Sequence, residues 1–263
     1  MANPRSAAPD IAFWGVGLSY GGPDGPIEAL HDVTWDIAPG EPVAVIGPSG
    51  CGKSTMLHLI AGLMQPTAGT VEVGGRPIGK PRAATSFIPQ DLGLFPWKTV
   101  FANAALGLKL RGVPRDEMRA RTEAALREVQ LEGFEKAFPR ELSGGMRQRL
   151  ALARAIAVDM DLLLMDEPLS AIDALLRETL QQTLLELWQR SGHTQVLVTH
   201  SIEEAVFLGR RIFVMSPRPG TLVRVVDNPR MGEPGFRDTH DYDECCRVVR
   251  RALETGAREE AVR

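Results

Sequence analysis

The stretch Gly47-Pro48-Ser49-Gly50-Cys51-Gly52-Lys53-Ser54-Thr55 places three glycines, one lysine and three hydroxyls within nine residues. Those types at that spacing suit one task, holding a chain of phosphates. Gly47, Gly50 and Gly52 let the backbone curl so that its N–H groups converge on anionic oxygens. Lys53 can reach the terminal phosphates, and the Ser54 hydroxyl can coordinate Mg²⁺. A second set of reactive residues lies further along the chain. Asp166 and Glu167 are adjacent carboxylates, suited to a metal ligand beside a base that orients water; the bland alternative is a pair of solvated acids. Ser143-Gly144-Gly145 could present a hydroxyl and free N–H groups to an anion, or could simply cap a helix.

These groups need elements to position them. The phosphate loop comes after the apolar run Pro42-Val43-Ala44-Val45-Ile46 and leads into Met56-Leu57-His58-Leu59-Ile60, a strand–loop–helix order. Asp161-Leu162-Leu163-Leu164-Met165 and Gln195-Val196-Leu197-Val198-Thr199 are continuous apolar runs, as expected of strands covered on both faces of a parallel sheet. They deliver Asp166-Glu167 and His200 at their C-terminal ends, where open α/β sheets bind ligands. A lone histidine is usually structural, but this one is placed like a ligand.

At the start of the chain, strands over 11–20 and 28–37 are joined by the turn-forming Gly21-Gly22-Pro23-Asp24-Gly25-Pro26, with Tyr20 ending the first as a packing residue unless a ligand claims it. Short strands over 70–73 and 85–88 come next, the second leading to Pro89-Gln90. Gly74-Gly75-Arg76-Pro77-Ile78-Gly79-Lys80 repeats the glycine–lysine spacing, yet Pro81 stands where a metal-binding hydroxyl belongs, so it reads as a hairpin turn. The loop Leu92-Gly93-Leu94-Phe95-Pro96-Trp97 is apolar for a connection, and suits a docking patch and a fold into the core equally well. Helices over 101–109 and 114–130, the latter with Met118, Leu126 and Val129 on one face, interrupt the α/β pattern, giving a helical insert over about 100–157. A helix carrying Leu176, Leu180, Leu184 and Leu187, a strand pair over 211–216 and 221–226, and a short helix over 242–253 complete the chain.

Composition sets bounds. At 263 residues, 44% hydrophobic and 24% charged, the chain can bury a good core. A net charge of −3 gives no electrostatic case for nucleic acid as a partner. No apolar stretch approaches the roughly 20 residues that span a bilayer, and residues 1–10 read as a loose tail rather than a signal peptide. Cys51 and the adjacent Cys245-Cys246 offer no disulfide framework, and the run from His240 to Cys246 lacks zinc-site spacing, so a reduced cytoplasmic protein is expected.

Together the pieces resemble the ATP-binding cassette (ABC) ATPases over residues 11–226. Gly47 to Ser54 is similar to the Walker A motif, Gln90 to the Q-loop, Leu142-Ser143-Gly144-Gly145-Met146 to the signature motif, and residues 162–166 to Walker B with Glu167 after it. Ser170-Ala171-Ile172-Asp173 resembles the D-loop and His200 the switch histidine. Met146 replaces the commoner glutamine and Ile172 the commoner leucine. The resemblance implies a P-loop NTPase (RecA-like) α/β core sheet, an N-terminal antiparallel β subdomain and an inserted α-helical signature subdomain. Residues 11–226 would form one ATPase domain and 227–263 a short extension.

It also implies site roles. Tyr20 would stack on adenine, and Gly47, Pro48, Ser49, Gly50, Cys51, Gly52, Lys53, Ser54 and Thr55 would hold the phosphates of ATP. Ser54, Gln90 and Asp166 would hold Mg²⁺, Glu167 would polarise the attacking water, and His200 and Gln90 would contact or sense the γ-phosphate. Ser143, Gly144, Gly145 and Asp173 would complete the site of a second cassette, identical or paralogous, in a head-to-tail dimer. Residues 94–100, 173–178 and Val214-Met215-Ser216-Pro217-Arg218-Pro219-Gly220 resemble the nitrate/sulfonate/taurine-type importer ATPases. That subgroup implies permease subunits, an extracytoplasmic solute-binding protein and a place on the cytoplasmic face of the membrane. Export or lipid extraction, a soluble ABC protein, and a non-ABC phosphate-loop kinase or switch protein are the competing classes.

Overall fold

The computed structural model describes residues 7–23 and 25–260; residues 1–6 of the expected tail and Asp24 of the turn cluster lie outside the described residues. The chain runs β1 (Ile11–Gly22), β2 (Gly25–Ile37), β3 (Pro42–Ile46), α1 (Lys53–Ile60), β4 (Ala68–Val73), β5 (Thr85–Ile88), α2 (Val100–Ala104), α3 (Leu106–Leu110), α4 (Arg115–Glu128), α5 (Gly144–Ile156) and β6 (Leu162–Asp166). It continues through α6 (Ala174–Ser191), β7 (Thr194–Thr199), α7 (Ile202–Leu208), β8 (Arg211–Met215), β9 (Leu222–Asp227) and α8 (His240–Glu260).

Two sheets share a core. β2, β1 and β4 form an antiparallel sheet in that order, while β5-β6-β7-β3-β8-β9 form a six-stranded sheet, parallel except for β9. β3, β6 and β7 are buried at every position, which explains their unbroken apolar runs. Their register sets where the strands end. Ile46 aligns with Thr199, and Asp166 with Val198, so the phosphate loop, Glu167 and His200 leave one edge at one level. The second glycine–lysine run is a hairpin turn: Gly74 and Gly75 take φ of 66° and 65°, and Val73 N–H donates to Arg76 O at 2.9 Å.

Between β5 and β6, α2 to α5 pack around their own apolar cluster. The helix expected over 101–109 is two short ones, parted at Ala105, where ψ flattens to −10°. The preceding loop divides its apolar residues. Leu92 and Leu94 pack on the helical core, whereas Trp97 is 71% exposed. Buried Asn103 holds the loop, its amide donating to the Phe95, Lys98 and Thr99 carbonyls and its Oδ1 accepting from Phe95 N–H. The C-terminal helix is longer than expected, 21 residues rather than a short piece. Thr239 Oγ1 accepts Tyr242 N–H at its start, and Tyr242, Val249 and Ala252 bury against the cluster under α7 and β8. A continuous apolar face on a folded neighbour extends a helix further than local propensity alone.

Candidate functional site

The phosphate loop is shaped by backbone that only glycine accepts. Gly50 and Gly52 take φ of 77° and 97°, and a Cβ on Gly52 would lie 2.6 Å from the Leu30 side chain and 2.9 Å from Ala29 O. Gly52 precedes α1, whose first turn holds no acid and gets no side-chain cap from Gly52, so its N-terminal N–H groups and positive dipole end stay available to an anion. Lys53 is only 7% exposed, and its Nζ donates to Gly47 O at 2.8 Å and Pro48 O at 2.7 Å. The ammonium is thereby held at the loop by backbone carbonyls, with no direct ion pair among the described residues. Cys51 is fully buried, and burial pushes its thiol up despite nearby Lys53, so its side chain stays protonated and turned from solvent.

The neighbouring strand ends bring the acids. Asp166 is buried, and desolvation raises its carboxyl above the usual range, opposed by a hydrogen bond from Ser54. Glu167 adopts φ 50°, a left-handed backbone that a non-glycine residue rarely takes and that concentrates at functional sites. Its N–H donates to Val198 O at 2.9 Å, and its Oε2 lies 3.3 Å from His200 Nδ1. His200 itself is largely exposed.

A cleft of about 460 Å³ is lined by Tyr20, Ile27, Ala29, Ser49, Gly50, Gly52, Lys53, Ser54, Thr55, Gln90, Glu167 and Arg218, while His200 lines a smaller neighbouring cavity that shares Glu167 with it. Tyr20 is fixed at the cleft wall by a 2.9 Å hydrogen bond between its hydroxyl and Thr55 Oγ1. Gly47, Pro48 and Cys51 stand behind the loop, and Asp166 behind Ser54, rather than on the surface of the cleft. Ser143, Gly144, Gly145 and Asp173 do not line it. Ser143 caps α5 through Met146 N–H (3.2 Å), and Asp173 caps α6 through Leu176 N–H (3.1 Å). Gln148 ties the two capped turns together, donating to Ser170 Oγ at 3.0 Å and accepting from Ala171 N–H at 2.9 Å.

Among the described residues no cluster of three His, Cys, Asp or Glu side chains could hold a metal by itself. The Ser54 hydroxyl, the Gln90 amide and the buried Asp166 carboxyl are nevertheless hard oxygen donors. They fit a cation that keeps several waters and completes its shell with phosphate oxygens, as Mg²⁺ does.

Two residues beside His200, Arg177 and Glu204, are not singled out as site residues by the sequence, although Arg177 lies within the 173–178 run. A small cavity of about 30 Å³, enough for a water, is lined by Glu167, His200, Arg177 and Glu204 among others. Glu204 is buried, burial raises its carboxyl, and it accepts a hydrogen bond from Thr199 Oγ1, which in turn accepts Ser201 N–H at 3.1 Å. The turn carrying His200 is thus pinned on both sides. An acid in the first turn of the helix after His200 was the one available hint. Its burial was not visible.

Comparison with known proteins finds relatives of the chain. The profile of the ABC transporter family matches residues 30–170. The taurine import ATP-binding protein TauB of Burkholderia pseudomallei (strain 1710b) is 48% identical over 208 residues, covering 79% of this chain and 80% of that protein. TauB of Yersinia pestis bv. Antiqua is 44% identical over 234 residues, 89% of each. The dimeric structure of MJ0796, a bacterial ABC transporter cassette, superposes with a TM-score of 0.77 at 33% identity over 82% of this chain and 98% of that one. The same cassette has also been solved as a dimer bound to ADP and Pi in a post-hydrolysis state.

Proposed function

Because the chain belongs to the ABC transporter family, an ATPase of the import type, we propose that the cleft is where it binds and hydrolyses ATP and that the cycle drives uptake of taurine or a related small sulfonate. The observation that carries the site is the shared level of three strand ends, which brings Lys53, Ser54, Asp166 and Glu167 together with His200 3.3 Å from Glu167. Lys53 and the loop N–H groups would bind the β- and γ-phosphates, and Tyr20 would pack on the base. Glu167 would orient the attacking water and accept its proton, and His200 would donate to the γ-phosphate. Ser54, Gln90 and Asp166 would hold Mg²⁺, which supplies charge neutralisation across the two terminal phosphates when bound.

Ser143, Gly144, Gly145 and Asp173 stand apart from the chain's own cleft, which supports their serving the cleft of a second cassette head to tail. Membrane attachment would come through a permease at the cytoplasmic face, with a solute-binding protein outside. Among the described residues no helix is long and apolar enough to cross a membrane. Exposed Trp97, in the loop after Gln90, suits the permease contact.

Glu167→Gln tests the reading. ATP affinity should stay within about two-fold while turnover falls about a thousand-fold; undiminished turnover would remove Glu167 from the chemistry. The tagged variant, trapped with ATP in detergent-solubilised membranes, should co-purify with a multispanning permease and a solute-binding protein whose ligand is a small sulfonate. A permease without a binding protein would turn the reading toward export.

A further inference from the structure

Arg218 sits in the turn between β8 and β9, within the run Val214 to Gly220, which has no task in the proposed cycle. The turn is pressed against the phosphate loop and β2. Gly220 N–H donates to Ala29 O at 2.9 Å, His31 N–H donates to Gly220 O at 3.1 Å, and a Cβ on Gly220 would fall 1.9 Å from Cys51 O. No larger residue fits there, so the turn is held at a fixed distance from the loop. Arg218 is exposed and leans over that loop. Its Nε donates to Gly50 O at 3.3 Å, and a Cβ on Gly50 would lie 3.0 Å from its Nη2. Gly50 O is its hydrogen-bond acceptor among the described residues, and no carboxylate pairs with it there. Most of its N–H donors therefore remain uncommitted at the rim of a cleft it helps to line.

Two cations thus address one loop from different sides. Lys53 is buried and bonded to Gly47 O and Pro48 O; Arg218 approaches from solvent. The chemistries differ as well. A lysine supplies a compact point charge, whereas the planar guanidinium fork can give two parallel N–H bonds to a phosphate. Resting on the reading of the cleft as the nucleotide site, we propose that Arg218 is a nucleotide-binding residue: its guanidinium takes a phosphate oxygen of ATP while it steadies the Gly50 carbonyl of the loop.

The full chain carrying Arg218→Ala is titrated with ATP and with adenosine, and its melting is followed without nucleotide. ATP affinity should fall about ten-fold, the worth of a charged hydrogen bond. Adenosine affinity should stay within about two-fold, and the melting temperature within about 2 °C, because an exposed side chain with one long hydrogen bond adds little to the fold. Unchanged ATP affinity would overturn the proposal. So would an equal loss for adenosine, which would place Arg218 on the base or ribose, or a melting drop beyond about 4 °C, which would make it structural. Lys53→Ala run alongside separates the two readings. If it binds ATP like the parent chain, the cleft assignment itself fails; if it loses ATP and Arg218→Ala does not, only the role of Arg218 fails.

Discussion

The two edges of the six-stranded sheet are built from the same strands and obey opposite rules. At the N-terminal edge polar groups are closed off in pairs. Arg211 makes paired bonds of 2.5 and 2.6 Å to Glu41, Arg82 makes bonds of 3.0 and 2.7 Å to Asp161, and Trp188 Nε1 donates to Gly40 O at 2.8 Å. His193, just before β7, is 1% exposed. At the C-terminal edge Lys53 is held by the Gly47 and Pro48 carbonyls and Cys51 Sγ, Asp166 is buried beside Ser54, Glu167 sits in left-handed backbone, and His200, just after β7, is open to solvent. One edge closes the fold, and the other leaves polar groups for a ligand to satisfy.

Changes at the two edges should therefore separate stability from function. Asp161→Ala, at the closed edge, removes both carboxylate bonds of Arg82 and should cost about 4 kcal/mol in denaturant unfolding, with ATP affinity of the surviving fold unchanged. A loss of ATP affinity without a loss of stability would break the comparison. His193 gives the next largest effect. Burial lowers its pKa from 6.5 to about 4, so the unfolded chain takes up a proton in a range where the folded chain refuses it. Its share of stability is complete above pH 6.5 and is lost as pH falls toward 4, by about 3 kcal/mol. Unfolding of the parent chain and His193→Gln at pH 7 and pH 4.5 measures this; equal pH slopes would refute it. Ser143→Ala should show the smallest change, about 1 kcal/mol for the lost cap of α5. ATP titration of the lone chain should not register it, while turnover of the paired assembly should drop. A large fall in lone-chain affinity would put the signature segment in its own cleft.

The open edge was far more legible in the sequence than the closed one. Gly50, Gly52, Lys53 and the acids after an apolar strand announce themselves because their backbone and charge requirements are local. Glu204 stays silent in the sequence, and Arg177 and Arg218 show there only as members of longer runs, because their meaning comes from what lies opposite them in space. The same applies to α8, whose full length depends on the sheet face beneath it. The break at Ala105 is a subtler case, since 101–109 carries an ordinary helical pattern and the interruption is only a flattened ψ. Ser143 and Asp173 were legible as motif residues, yet a single chain shows them only as caps.

The short pairing of Leu30 with Gly220 has a mechanical consequence. It bolts the antiparallel sheet, which supplies the Tyr20 wall, to the turn that backs the phosphate loop. The two walls of the cleft are thereby tied directly to each other. A displacement of the turn therefore bears on the Tyr20 sheet as well as on the loop.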